Sequence, residues 1–265
     1  MCAPDHFDIK YVINPWMDLN NRVDPSLARR QWDNLVGILK QFGDRIEFVN
    51  SDPCCPDMTF SGDSGLVFDN IFMPSNFRVP ERRLEVQHYI DWFSTRGFDI
   101  ATYDENIYFE GLGDVVFHGH RAVFGHGVRS NRRSLDLLHR FIPDLEILCE
   151  MRIVDDRFFH LAMALAFLSD DTVLYYPAAF DSESVESLQA AVPNTIAASD
   201  ADVCNHFACN NLVIGRQVLI DGATPRLVED LATNGFETVV CPMSEFKKSG
   251  GSLRCLVLSF IETNR

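Results

Sequence analysis

Tyr108-Phe109-Glu110-Gly111-Leu112-Gly113-Asp114-Val115-Val116-Phe117-His118-Gly119-His120-Arg121-Ala122-Val123-Phe124 is the stretch on which the fold turns. An acidic, glycine-broken segment runs into two short apolar runs, 115–117 and 122–124, each of strand length and separated by a glycine turn. Ser130 to Phe141 then carries a helical pattern, and Leu145-Glu146-Ile147-Leu148 reads as a further strand. Working outward, further strands are expected at Tyr11–Ile13, Ile46–Val49, Gly65–Phe68, Thr172–Tyr176, Leu212–Ile214, Thr238–Val240 and Leu256–Leu258. Helices are expected at Pro25–Phe42 (after Asp24, an N-cap residue type), Pro80–Arg96, Ser182–Ala191 and Pro225–Thr233. Strand pairs thus alternate with single helices about every 50 residues, a period at which internal repeats are sought. The pattern predicts an α/β fold in one continuous domain, 1–265, and leaves a doubly wound sheet and a circular arrangement both open.

The composition narrows the function. Thirty-eight acidic residues against 23 basic ones give a formal charge of −15, which repels phosphate backbones and anionic membranes. Neither a nucleic-acid partner nor a membrane is therefore expected. No apolar run has the length of a membrane span, and Met1–His6 shows no secretory signal. The eight cysteines contain no CxxC pair, so free thiols in a reducing cytoplasm are expected. The adjacent Cys54 and Cys55 read as a pair without a redox role.

Three groups of residues could carry chemistry. In Lys247-Lys248-Ser249-Gly250-Gly251-Ser252-Leu253-Arg254-Cys255-Leu256 a Gly-Gly turn leads to a cysteine that is expected to open a strand. Cationic neighbours at such a junction lower a thiol pKa, so Cys255 reads either as a nucleophile or as a core cysteine. His160, between Phe158-Phe159 and the apolar run Leu161–Leu168, is either a satisfied core group or a tuned acid/base. Glu110, Asp57 and Asp63 are acids whose settings exceed ordinary turn chemistry, whereas Asp114 reads as a turn residue. Asp57 and Asp63, six apart, share a face if the segment is a strand. His118, His120 and His126 lack the partners of a zinc site and read as solvated strand and loop.

In combination these motifs resemble a family. FEGxGD, His-Leu-x-x-x-Leu and Gly-Gly-x-x-x-Cys-Leu-x-Leu occur in the order found in guanidino-group modifying enzymes, the penteins. Tyr11–Met17, Pro56-Asp57-Met58, Pro80-Glu81-Arg82, Tyr175–Asp181 and Phe207–Asn210 extend the likeness over nearly the whole chain, towards cyanobacterial arginine dihydrolase domains. The resemblance implies a five-bladed, pseudo-symmetric α/β propeller of ββαβ units. It implies Cys255 as nucleophile, His160 as general acid/base, and Glu110, Asp57 and Asp63 around the substrate guanidinium. Arg82 and Arg129 match arginines that grip a substrate carboxylate. No cofactor and no metal are implied; a small guanidino substrate is, and homo-oligomerisation is left open. Ala162 stands where deiminases and dihydrolases carry an acid, and Asp63 where dihydrolase relatives tend to have asparagine. Both departures lean towards a methylated arginine, as in dimethylarginine dimethylaminohydrolases; Gly62, where many of those carry glutamate, pulls the other way. An arginine deiminase or dihydrolase is the alternative, followed by an amidinotransferase or a non-catalytic ligand-binding relative.

Overall fold

The computed structural model describes residues 1–43 and 45–261. In chain order the elements are α1 (Pro25–Gln41), β1 (Gly65–Phe68), β2 (Ile71–Pro74), α2 (Glu85–Ser94) and β3 (Asp99–Ile100). Next come β4 (Val115–His118), β5 (Arg121–His126), α3 (Ser134–Phe141) and β6 (Glu146–Arg152). They are followed by β7 (Leu165–Ser169), β8 (Thr172–Tyr175), α4 (Ser182–Ala191), β9 (Asn194–Ala197) and α5 (Asp200–His206). The chain closes with β10 (Leu212–Ile214), β11 (Gln217–Ile220), α6 (Pro225–Thr233), β12 (Glu237–Val240), α7 (Ser244–Lys247) and β13 (Phe260–Ile261).

One unit recurs four times. In each, two strands pair antiparallel across a two-residue turn, a helix crosses back, and a third strand joins parallel: β1-β2-α2-β3, β4-β5-α3-β6, β7-β8-α4-β9 and β10-β11-α6-β12. A hairpin this tight favours positive φ at its centre, which Gly119 (φ 57°) and Gly215 (φ 60°) adopt without a Cβ penalty. The parallel third strand follows from the crossover, since a short turn can make only an antiparallel pair. The protein is therefore α/β with four mixed sheets among the described residues. β13 adds to β1 in parallel, joining the end of the chain to its first sheet.

The helices form where the pattern places them, because caps and apolar faces coincide. The Asp24 side chain accepts from the amides of Ser26 (2.9 Å) and Leu27 (3.0 Å), and Pro25 supplies the preset φ of a first turn. Trp32, Leu35, Val36 and Leu39 then bury one face of α1. α4 and α6 span the expected residues, capped by Asp181 and Thr224. Elsewhere the expectations need correction. Pro80–Arg82 is a separate 3-10 turn ahead of α2, α3 starts at Ser134, and α5 and α7 were not foreseen. Tyr11–Ile13 forms no strand, and 46–49 contributes a single bridge, Cys2 to Val49. Asp57 and Asp63 lie on successive 3-10 turns, Pro56–Thr59 and Ser61–Ser64, where Pro56 and two glycines within four residues defeat extended pairing.

Replacing Asp24 by alanine is expected to destabilise the protein by about 1 kcal/mol. Thermal denaturation should show a midpoint lower by roughly 2–4 °C.

Candidate active site

The site is assembled from the same place in successive units. Phe60, Glu110, His160 and Cys255 each stand five residues before the first residue of a strand: Gly65, Val115, Leu165 and Phe260. Each opens or occupies a one-turn 3-10 helix, and these turns pack on one another. Packing is close enough to require glycine. A Cβ at Gly113 would lie 2.9 Å from His160 Cγ and 3.0 Å from its Nδ1. A Cβ at Gly62 would lie 2.9 Å from the Arg254 carbonyl oxygen and 3.2 Å from that of Cys255. Position 62 thus has no room for any side chain.

His160 is buried between acids. Its Nε2 lies 2.7 Å from Glu110 Oε2, and its Nδ1 lies 3.6 Å from Asp63 Oδ1. Burial alone would lower the imidazole pKa, but Asp63, the hydrogen bond to Glu110, and Asp114 outweigh it and raise it. Burial alone would raise Glu110, yet Arg129 and His160 outweigh it and hold it at about 2. Both shifts favour the charge-separated pair, imidazolium facing carboxylate. Asp114 is not a turn residue in function: fully buried, it accepts from the amides of Ser130 (3.2 Å) and Leu161 (3.1 Å), fixing the backbone next to His160. Burial lifts its pKa to about 6.

Cys255, Asp57, Asp63, Arg82 and Arg129 line one small cavity, partly covered by Ile13, Asn14, Met17, Phe159 and 249–251. About 10 Å³ of free space remains, enough for about one water. The cover is sewn together by Asn14 Nδ2 donating to the Ser249 carbonyl at 3.0 Å. Arg82 donates to Asp63 at 2.7 Å and to Glu85 at 2.6 Å, while its guanidinium stacks over Phe77. Arg129 reaches Glu110 at 3.4 Å and the Ile13 carbonyl at 2.8 Å. Asp57 differs: it is buried, and neither carboxylate oxygen has a hydrogen-bond partner. Desolvation, opposed by Arg82, pushes its pKa up.

The comparisons with known proteins follow this geometry. A family model described as N,N dimethylarginine dimethylhydrolase, eukaryotic, matches residues 7–262. The chain belongs to that family. Across 97% of its length it is 34% identical to an N(G),N(G)-dimethylarginine dimethylaminohydrolase of Mycobacterium tuberculosis, 84% of which is covered. It is 35% identical to a bifunctional arginine dihydrolase/ornithine cyclodeaminase of Nostoc sp., over the whole chain but only 38% of the relative. The N-terminal domain of a cyanobacterial arginine dihydrolase, solved as a cysteine-to-serine variant bound to substrate, superposes with a TM-score of 0.92. That likeness covers 99% of this chain and 97% of the other at 31% identity.

Within this family frame the structure brings all seven expected residues into one centre, but changes how they act. Cys255 lies in the 3-10 turn Arg254–Leu256 rather than at the head of a strand. Its expected cationic activators are elsewhere: Lys247 pairs with Asp221 at 2.6 Å, Lys248 with Glu245 at 2.7 Å, and the Arg254 guanidinium sits over Phe117. Burial, reinforced by Asp63, pushes the Cys255 thiol up to about 12 against partial relief from Asn210 and Arg82. Glu110 is absent from the cavity wall and stands behind His160. Sequence reading passed over Asn210, which donates to Cys255 Sγ at 3.1 Å and to the Ala162 carbonyl at 3.0 Å. Its one signal was its place at the end of the Phe207–Asn210 motif.

Two outcomes are expected. Gly113→Ala displaces the imidazole and lowers kcat by about 100-fold, the scale of a misplacement near 1 Å, with far-UV circular dichroism unchanged. Alkylation of Cys255 by neutral iodoacetamide, followed by peptide mass spectrometry, should be about 1,000-fold slower near pH 7 than for a thiol at the ordinary value. Its rate should climb about tenfold per pH unit, because only the thiolate reacts and the thiol titrates near 12.

Proposed function

We propose that the chain is a cofactor-independent hydrolase that cleaves a C–N bond at the guanidino carbon of a methylarginine-type substrate. We read its fold as a five-bladed pseudo-symmetric propeller: the four ββαβ units, with α1, the 46–49 segment and the chain end completing a fifth. One observation carries the functional reading, namely a partly covered cavity that presents a thiol, two acids and two arginines beside a buried, carboxylate-backed histidine.

Cys255 is the nucleophile and His160 the general acid/base. Asp57 and Asp63 hold the guanidinium, and Arg82 and Arg129 grip the substrate carboxylate. Glu110 acts through His160, stabilising its protonated form. The substrate itself favours the thiolate: a cation about 4 Å from sulfur at an effective dielectric of about 20 contributes about 4 kcal/mol, or roughly three pKa units, which brings the thiol back to its ordinary range. Thiolate attack forms the C–S bond, His160 protonates the departing amine, and an S-alkylthiouronium remains. Water deprotonated by His160 then adds to that carbon, and sulfur leaves. This chemistry requires neither a metal nor a cofactor. With so little free space, an arginine-sized molecule enters only when 11–17 and 249–251 separate.

A methylated arginine is favoured by two features of the site. Ala162 puts a methyl group two residues after His160, in place of a further acid, and Asp63 is a carboxylate already shared with Arg82. The second reading, arginine deiminase or dihydrolase, is favoured by the close superposition on the cyanobacterial domain and by the absence of room for a side chain at Gly62. A cytoplasmic location suits eight free cysteines, and no helix among the described residues is long and apolar enough to cross a membrane.

Incubation with N,N-dimethylarginine is expected to yield citrulline and dimethylamine by mass spectrometry, and Cys255→Ser to lower turnover by at least about 1,000-fold while sparing binding. Ornithine with ammonia from arginine would move the assignment to dihydrolase. Transfer of the guanidino group to an added amine would make the protein an amidinotransferase, and undiminished turnover in Cys255→Ser would remove the nucleophile.

A further inference from the structure

A second cluster of reactive side chains lies outside the cavity lining. Asp52, Cys55 and His88 bring a carboxylate, a thiol and an imidazole together, one ligand atom of each within 4.8 Å of the others. We propose that these three residues bind a zinc-type divalent cation, with a fourth position open to water.

Local structure explains why the groups converge. The chain turns tightly after Asp52: its Oδ1 accepts from the Cys54 amide at 2.7 Å, and its carbonyl accepts from the Cys55 amide at 3.0 Å. This turn leaves Oδ2 free to face His88 Nε2, 3.6 Å away on α2. Around a tetrahedral ion with bonds of about 2.0–2.3 Å, neighbouring ligand atoms stand roughly 3.3–3.7 Å apart. The carboxylate and imidazole already have that separation. The Cys55 side chain is buried, and its sulfur has no hydrogen-bond partner among the described residues. An exposed Asp–His pair alone would ask for nothing; a buried sulfur beside it completes a mixed S, N, O donor set. Such a set selects zinc and its neighbours over magnesium or calcium, which take oxygen ligands.

Binding replaces the thiol proton with the metal, so that Cys55–SH and the dication give a metal thiolate and a released proton. The position gives the ion a structural reach. Cys55 caps the 3-10 turn that carries Asp57, and His88 lies three residues beyond Glu85, the acid that holds Arg82. An ion here would clamp the Asp57 turn to the helix that anchors Arg82, without touching either.

The test uses the full chain carrying Cys255→Ser, so that the cavity thiol cannot ligate. Calorimetric titration with zinc should give one ion per chain, and cobalt(II) should give a thiolate charge-transfer band at the same stoichiometry. Adding His88→Ala should weaken zinc binding by more than about 100-fold, the upper range for changes outside the ligand set. Adding Cys55→Ser should abolish the cobalt band. If His88→Ala does not fold, Asp52→Asn, which keeps an acceptor for the Cys54 amide, should weaken binding at least about tenfold. Failure to bind zinc, affinity indifferent to His88 and Asp52, or a cobalt band that survives Cys55→Ser would each overturn the assignment. The outcome is independent of which guanidino compound the enzyme cleaves.

Discussion

Buried charge that must be balanced is the constraint from which the rest of this structure follows. Asp57, Asp63, Glu85, Glu110 and Asp114 are all buried, and the cations that meet them are Arg82, Arg129 and His160. Taking carboxylates out of water costs several kcal/mol each unless cations and hydrogen bonds offset it. Three acids respond by holding their protons more tightly, Glu85 at about 8, Asp114 at about 6 and Asp57 also raised, in each case because of burial. Glu110 goes the other way because two cations face it. Asp57 is left facing the cavity with neither oxygen in a well-formed hydrogen bond, the Tyr11 hydroxyl being its nearest neutral donor. A site with an unmatched acid and a protonated thiol is complementary to a cation, and the planar guanidinium offers the paired N–H donors that a carboxylate accepts.

The same constraint explains why the framework is rigid where it is. The 3-10 turns that present Glu110, His160 and Cys255 are locked by glycine contacts and by Asp114, so the acid/base partners are fixed before any substrate arrives. The cover is tied in turn, by Asn14 to Ser249, Arg129 to the Ile13 carbonyl and Trp16 to the Arg157 carbonyl, over a site with room for little more than one water.

Legibility in the sequence divided along physical lines. The hairpins and helices were readable because apolar periodicity and caps are local, and α4 and α6 matched at both ends. The units without regular hydrogen-bonded ladders, 11–13 and 46–49, carry strand-like residues but leave most of their backbone outside any ladder. The seven candidate residues were joined through a motif order spread over 250 residues, which local rules could not have supplied. Two local inferences then failed for a single reason. Lysines near Cys255 in sequence read as its neighbours in space, and Asp114 in a glycine-rich stretch reads as ordinary turn chemistry. Only the packing of one turn on another decides either question.

That packing also bears on substrate choice. A glutamate at position 62 would be crowded out, because the carbonyls of Arg254, Cys255 and Val257 fill the space a Cβ would need. Gly62 therefore speaks for the dihydrolase reading, while Ala162 adds no acid to a cavity whose carboxylates are Asp57 and Asp63. Asp63 is already engaged by Arg82, so a substrate must share it or draw Arg82 away towards its own carboxylate. A guanidinium bearing two methyl groups on one nitrogen has lost two N–H donors and needs fewer acceptors than arginine. The proposed preference for a methylated arginine rests on that reduced demand, met by a cavity wall with a single unshared carboxylate, Asp57.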